Sequence, residues 1–233
     1  MDYRRFLPNL CTSMNLVFGM CSILSTYHGD LVWGSIFILL ALVADGLDGR
    51  TARFFGVSSE MGKEMDSLCD LGSFGIAPAF LAWVFVLQHH GLLGMAVVII
   101  FAVCGMWGLA RFNVNADVVH GYFMGLAIPA GGNIVAMTTL LFVTLGVDPL
   151  SFGVAYPIIM AIVGYLMVSH VHYPNFKGDG AEPIYLVTKI FALVMFAAIL
   201  WFGKDALLPA VAVAVYGGLM YKSGLTNTLL LMA

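Results

Sequence analysis

The sequence predicts an all-α, polytopic transmembrane bundle of about eight spanning helices with both termini cytoplasmic. Three observations predict it. Hydrophobic residues make up 61% of the 233 residues and charged residues only 10%, against about 45–50% and about 25% in soluble domains. The mean hydropathy is +0.96. Apolar runs of nearly membrane-spanning length recur along the chain. The charges are too few to cover a soluble surface, which excludes a soluble globule, a disordered chain and a nucleic-acid-binding protein.

Eight apolar segments approach the length of a spanning helix, about 20 residues. In chain order they cover residues 11–27, 31–55, 68–88, 92–112, 124–146, 152–170, 184–202 and 206–221. They are separated by short turns at 28–30, 89–91, 146–149 and 203–205, and by longer polar stretches at 56–66, 113–122 and 171–183. No repeat or linker divides the chain, so we expect residues 1–233 to form one domain.

The cations orient these helices, because the cytoplasmic ends of membrane spans carry an excess of Lys and Arg. With the N-terminus placed inside, every Lys and Arg except Lys204 falls on or near the inner side. The three longer polar stretches lie on that side too. We therefore expect an integral membrane protein whose chemistry faces the cytoplasm, at the inner membrane if the source is a bacterium.

Four acidic residues stand out in the second and third apolar segments. Asp45 and Asp48 are three residues apart and Asp66 and Asp70 are four apart, so each pair shares one face of a helix. A hairpin of the two helices can bring all four carboxylates together. Two acids alone at a helix end are typical of a solvated interface, but two helical pairs need neutralising cations or protons. Carboxylate oxygens favour Mg²⁺, Mn²⁺ or Ca²⁺ over Zn²⁺.

The residues around these acids suit a metal-bound diphosphate. Gly49, Ala52 and Gly62 are small and leave room for a ligand against the backbone. Arg53 lies one turn beyond Gly49, where its guanidinium can meet phosphate. Mg²⁺ itself takes few protein carboxylates and completes its shell with water and substrate phosphates. The pattern therefore indicates a site for a phosphorylated substrate bound through divalent cations.

The pattern Asp45-x2-Asp48-Gly49-x2-Ala52-Arg53-x8-Gly62-x3-Asp66-x3-Asp70 resembles, at every fixed position, the signature of the CDP-alcohol phosphotransferase family. The resemblance implies an integral membrane enzyme that moves a phosphatidyl or similar group from a CDP-linked donor to an alcohol and releases CMP. It implies one or two Mg²⁺ or Mn²⁺ ions, with two expected per active site, on Asp45, Asp48 and Asp66, and it implies Asp70 as general base and a further metal contact. The CDP-binding residues it implies are Gly49, Ala52, Arg53 and Gly62.

Four looser segments, at 7–19, 110–113, 123–130 and 173–177, resemble the integral membrane phosphatidylserine synthases of that family. One departure is Ala127, where the resemblance leads us to expect proline. The implied substrates are CDP-diacylglycerol and L-serine, within membrane lipid, and the implied assembly is a homodimer.

The acceptor pocket rests on four further polar residues. Arg111 can pair with the serine carboxylate or a donor phosphate, or snorkel at the interface. Lys177 can bind phosphate or only follow the inner-side bias of cations. Asn15 can contact the acceptor or lipid phosphate, or form a hydrogen bond between helices. Asn113 follows Arg111 at i+2 and points elsewhere on the helix.

Other functions stay open from the sequence. The acceptor can be glycerol 3-phosphate, as in a phosphatidylglycerophosphate synthase, or inositol, and the donor can carry ether-linked isoprenoid chains. From a different class, membrane-embedded acids can mark a cation transporter. That alternative predicts acids spread across the bilayer, whereas these acids cluster near one face.

Overall fold

The computed structural model of the protein describes residues 3–56, 59–115, 122–169 and 172–174, and these residues are predominantly helical. The long helices are α1 (Tyr3–Tyr27), α2 (Leu31–Phe55), α3 (Glu60–Asp70), α4 (Ala77–Phe85), α5 (Gly91–Asn115), α6 (Ile128–Thr144) and α7 (Ala155–Val168). A π-helical turn, Leu71–Ile76, joins α3 to α4, and 3₁₀ turns occupy Leu87–His90 and Pro149–Phe152. Two short strands, β1 (Tyr122–Met124) and β2 (His172–Pro174), complete the described elements.

Four helical stretches of the described chain are long and apolar enough to cross a membrane, namely Leu7–Tyr27, Leu31–Gly49, Glu60–Phe85 and Leu87–Val114. They correspond to the first four predicted spans. Large apolar side chains face outwards from them, such as Leu24 and Ile99, each 55% exposed. Contiguous exposed apolar surface is unusual for a water-soluble monomer but expected against lipid. The protein is therefore an integral membrane protein.

The fifth and sixth predicted spans are also helical, as α6 and α7, but shorter than predicted, with 17 and 14 residues. The predicted fifth span began at residue 124, whereas Met124 ends β1 and α6 begins at Ile128. The predicted seventh and eighth spans and the C-terminus lie outside the described residues, so the count of eight and the side of both termini stay predictions.

The predicted start of the third span was also wrong. Residues 60–66 were assigned to a polar inner stretch, but α3 begins at Glu60. The cause is a helix N-cap at Ser59, whose hydroxyl accepts a hydrogen bond from the Gly62 N–H at 3.0 Å. A serine cap followed by an acidic first-turn residue stabilises a helix N-terminus. The third membrane helix is therefore longer than predicted and carries Asp66 within it.

The core lies where α2, α4, α5, α6 and α7 meet. Its largest fully buried side chains include Ile38, Phe74, Leu81, Phe101 and Met160. Helix α2 packs against α1 on one side and α6 on the other, and α5 packs against α7. Helix α1 also packs against α3, and the acidic residues of α2 and α3 lie beside α1.

The strands β1 and β2 form a two-stranded antiparallel ribbon that the sequence did not predict. Tyr122 pairs with Pro174, Phe123 with Tyr173 and Met124 with His172. The ribbon ties the segment before α6 to the segment after α7. Two of the stretches that resemble phosphatidylserine synthases therefore lie next to each other.

Candidate active site

The last turns of α2 and the body of α3 bring carboxylates together. Oxygen atoms of Asp45, Asp48 and Asp66 all lie within 4.8 Å of one another. The three-residue spacing on α2 places Asp45 and Asp48 on one face, and that face is turned towards α3. The carboxylates of the two acidic helices are therefore brought together as predicted, with α1 packed against both helices.

These three carboxylates fit a divalent cation by their donor chemistry. All three offer hard oxygen ligands, which suit Mg²⁺, Mn²⁺ or Ca²⁺. The Oδ1 atom of Asp66 is buried and has no hydrogen-bond partner among the described residues. A buried carboxylate oxygen without a donor is costly unless a cation meets it. Divalent-metal binding by this cluster is consistent with its geometry.

Asp70 lies beside that group but is not part of it. The Asp45 carboxyl is within hydrogen-bonding reach of both Asp66 and Asp70, so the four acids form one continuous cluster. Asp70 is only 6% exposed. Its Oδ1 accepts a hydrogen bond from Asn15 Nδ2 at 2.9 Å. The structure thus separates three carboxylates that share a possible cation position from a fourth that is held by an amide.

Helix α1 supplies hydrogen-bond donors to two of the acids. The Thr12 hydroxyl donates to Asp48 Oδ2 at 2.6 Å, and Asn15 donates to Asp70. Thr12 and Asn15 are three residues apart and share a face, and both are buried. Thr12 was not among the predicted site residues. The i, i+3 spacing of Thr12 and Asn15, which puts both on one face of α1, was the signal that could have found it.

A π-helical turn follows Asp70 directly and is held from two sides. The Ser73 hydroxyl donates to the backbone carbonyl of Asn15 at 2.9 Å. A Cβ on Gly19 of α1 would collide with Ser73, and one on Gly132 of α6 would collide with the Phe74 carbonyl oxygen. Such turns are frequent at functional sites within helices. Close packing against α1 and α6 fixes the helix immediately beyond Asp70.

The predicted CDP-binding residues flank the acids along the chain. Gly49, Ala52 and Arg53 follow Asp48 in the last turns of α2. Gly62 lies in the first turn of α3, where a Cβ would be 3.1 Å from Ser59 Oγ and 3.4 Å from Asn9 Oδ1. Their roles towards CDP stay predictions.

Arg111 links the C-terminal ends of α5 and α7. From α5 its guanidinium donates to the carbonyl oxygens of Val168 at 2.7 Å, Ser169 at 2.9 Å and Met167 at 3.2 Å. These carbonyls lie at the C-terminal end of α7, where α-helix carbonyls lack partners of their own. Gly125, at φ +79°, packs against the same groups and leaves no room for a Cβ. Neither predicted alternative, acceptor binding or snorkelling, anticipated these carbonyl partners.

The other predicted acceptor residues are placed differently. Asn113 Nδ2 donates to Ser67 Oγ at 2.7 Å, which joins α5 to α3 next to Asp66. Asn15 forms the hydrogen bond between helices that was one of its two alternatives. Ala127, where proline was expected, has φ −63°, close to the value that proline imposes. Lys177 lies outside the described residues.

The sequence matches the model of a known protein family. A family model described as CDP-alcohol phosphatidyltransferase matches residues 5–216. The chain belongs to this family. The match includes α1, α2 and α3, and so all four acidic residues. Family membership agrees with the resemblance in the Asp motif and makes the chain a transferase, not the cation transporter of the alternative.

Several relatives with the name CDP-diacylglycerol–serine O-phosphatidyltransferase are similar over most of the chain. The protein from Helicobacter pylori (strain J99) is 34% identical over 231 residues, 97% of this chain and 92% of the relative. That from Methanocaldococcus jannaschii is 32% identical over 94% of this chain and 95% of the relative. That from Bacillus subtilis (strain 168) is 30% identical over 76% and 94%, respectively.

Proposed function

We propose that this protein transfers the phosphatidyl group of CDP-diacylglycerol to L-serine, forming phosphatidylserine and CMP. The partly buried carboxylate cluster of α2 and α3 carries the proposal, because it offers both cation ligands and a separate base for a phosphoryl-transfer reaction. The names of the full-length relatives support the choice of donor and acceptor.

Asp45, Asp48 and Asp66 are the residues that would hold divalent cations, which we propose to be two Mg²⁺ or Mn²⁺ ions. When bound, these cations neutralise the donor diphosphate and the departing CMP. The orphan oxygen of Asp66 and the mutual distance of the three carboxylates support this assignment. Gly49, Ala52, Arg53 and Gly62 would receive the CDP moiety.

Asp70 is the proposed general base. The serine hydroxyl oxygen attacks the phosphorus that bears diacylglycerol, and its proton passes to an Asp70 oxygen. The new O–P bond forms as the P–O bond to CMP breaks, and CMP leaves with the electron pair. Asn15 occupies Oδ1 of Asp70, so the second oxygen is the one proposed to take the proton.

Residues near the inner ends of the helices would complete the acceptor site. Asn113 lies near the acids through its bond to Ser67. Arg111 and Lys177 are the proposed partners of the serine carboxylate or of phosphate. We further propose that the site faces the cytoplasm, because Lys and Arg are concentrated on that side of the predicted spans. The resemblance to the family alone supports the proposal that the protein is a homodimer.

CMP release from CDP-diacylglycerol by the purified full-length protein in detergent tests the proposal. Serine, glycerol 3-phosphate and inositol are compared as acceptors, each with Mg²⁺, Mn²⁺ or a chelator. We expect serine with metal to accelerate CMP release and the chelator to abolish it. Preference for another acceptor would refute serine, and no acceleration by any of the three would refute the proposed transfer. Asp45→Asn serves as the inactive control.

A further inference from the structure

We propose that Asn15 is a positioning residue whose side-chain amide fixes the Asp70 carboxyl group for proton transfer. This inference rests on the proposed function, because it concerns how the proposed base is held. It assigns Asn15 a role towards Asp70 and not towards the acceptor alcohol or lipid phosphate.

The contact joins two buried groups on different helices. Asn15 Nδ2 donates to Asp70 Oδ1 over 2.9 Å, a normal length for a good hydrogen bond. Asn15 is fully buried and Asp70 is 6% exposed, so water does not compete for either group. A carboxyl group held at one oxygen cannot rotate freely, and this fixes where its other oxygen points. Catalytic groups need this kind of support from neighbouring side chains.

Chemistry settles which end of the Asn15 amide faces Asp70. The role of a base requires Asp70 to be ionised, and an ionised carboxylate only accepts hydrogen bonds, whereas an amide has a donating NH₂ end and an accepting oxygen end. Turning the amide over would set its oxygen against the Asp70 oxygen. The donating end must therefore face Asp70, as the structure has it.

The oxygen end of the Asn15 amide gives the fold no hydrogen bond that would explain a polar residue at this position. Asn15 Oδ1 is buried and has no hydrogen-bond partner among the described residues. An unsatisfied buried carbonyl oxygen destabilises a protein. An apolar residue at position 15 would avoid this destabilisation. The hydrogen bond to Asp70 is therefore the interaction that accounts for an amide at this position.

The backbone of Asn15 is anchored to the same part of the site. Its carbonyl oxygen accepts a hydrogen bond from the Ser73 hydroxyl at 2.9 Å, and Ser73 lies in the π turn directly after Asp70. Gly19, one turn further along α1, packs directly against Ser73. Both partners of the Asn15–Asp70 bond are thus fixed relative to each other by contacts that do not involve the acids.

Three roles for Asn15 predict different kinetics. A positioning residue affects kcat and leaves the KM for serine unchanged, because it acts on the base and not on the bound acceptor. An acceptor ligand raises the KM for serine when it is removed. A purely structural residue lowers thermal stability without changing kcat per folded protein.

The test compares Asn15→Ala and Asn15→Asp with the wild type, all as full-length protein in detergent. Turnover is counted per mole of protein that binds CDP-diacylglycerol, so misfolded protein does not enter the rate. Asn15→Asp keeps the shape of the side chain and covers the case in which Asn15→Ala fails to fold. We expect kcat to fall by about 10²-fold in both, as for a misplaced catalytic group, with the KM for serine within about threefold of wild type.

Asn133→Ala is the matched control. Asn133 is also fully buried, and among the described residues its Nδ2 donates only to a carbonyl of its own helix, that of Pro129 at 2.7 Å. We expect wild-type kcat from this variant. The inference is overturned by wild-type kcat in either Asn15 variant, by a raised serine KM with kcat retained, or by an equal loss in Asn133→Ala. A wild-type protein that releases no CMP with serine refutes the proposed function instead.

Discussion

Replacing Thr12 by Val tests how α1 supports the cation site. Thr12 and Asp48 are 4% and 8% exposed, and the 2.6 Å bond between them is short. The hydroxyl has one hydrogen, and its other acceptor, the Pro8 carbonyl, is farther away at 3.1 Å. The single hydrogen therefore points to Asp48, and the substitution removes the hydrogen bond to that carboxylate. Valine keeps the branched shape, so the surrounding packing remains.

The expected loss follows from the strength of that bond. A hydrogen bond to a charged group contributes about 1.5–3 kcal/mol, and 1.4 kcal/mol is tenfold in an equilibrium constant. If this whole free energy stabilises Asp48 as a metal ligand, its loss lowers the metal affinity by roughly 10–150-fold. That range overlaps the 10–100-fold typical of residues that orient metal ligands. Turnover at saturating metal should stay within about threefold, since Thr12 touches neither the base nor the acceptor.

The measurement is the Mn²⁺ concentration that half-maximally activates CMP release in detergent. Thr26→Val is the matched control, because Thr26 lies on the same helix, is fully buried and has an Oγ1 without a hydrogen-bond partner among the described residues. We expect its activation curve to match the wild type. The reasoning is refuted if Thr12→Val also matches the wild type, or if Thr26→Val shifts the curve equally.

Three further substitutions probe the site and its supports. Asp70→Asn should lower turnover by about 10²–10⁴-fold while CDP-diacylglycerol binding is retained, and near-normal turnover would contradict the base assignment. Gly132→Ala should destabilise the fold by about 1–3 kcal/mol and so lower the Tm, since its Cβ would meet the Phe74 carbonyl. Gly46→Ala should leave the Tm unchanged, because a Cβ there meets no other packed group within 4 Å in the described part of the chain. Equal Tm values for the two variants would contradict this reasoning. Arg111→Ala should lower the Tm by leaving three carbonyls without their donor, and an unchanged Tm would argue against this link between α5 and α7.

The acidic part of the site could be predicted because it depends on local spacing. Residues three or four apart share a helix face whatever the helix packs against, so Asp45 with Asp48 and Asp66 with Asp70 were paired correctly. The length of the apolar runs likewise predicted the first four spans. These features need no knowledge of distant neighbours in the chain.

The supports of the site could not be predicted in the same way. Arg111 donates to backbone carbonyls 56 to 58 residues away, and every residue has such a carbonyl, so no side-chain pattern marks these partners. The pairing of β1 with β2 also depends on how α6 and α7 pack. Thr12 is a different case, since its position three residues before Asn15 was visible but resembled ordinary helix packing.

The π turn at Leu71–Ile76 separates the helix from Glu60 to Phe85 into two parts, α3 and α4, that are rotated relative to each other about the helix axis. One added residue in the turn rotates everything beyond it by about 100° relative to an uninterrupted α-helix. The part before the turn, α3, directs Asp66 and Asp70 towards α1 and α2. The rotation at the turn decides which face of α4 packs against α6. Deleting a single apolar residue from the turn would swing the carboxyl groups away from their partners while leaving every polar residue in the sequence. The number of residues between the acids and α4 is thus as important for the proposed site as the acids themselves, although none of these residues is charged.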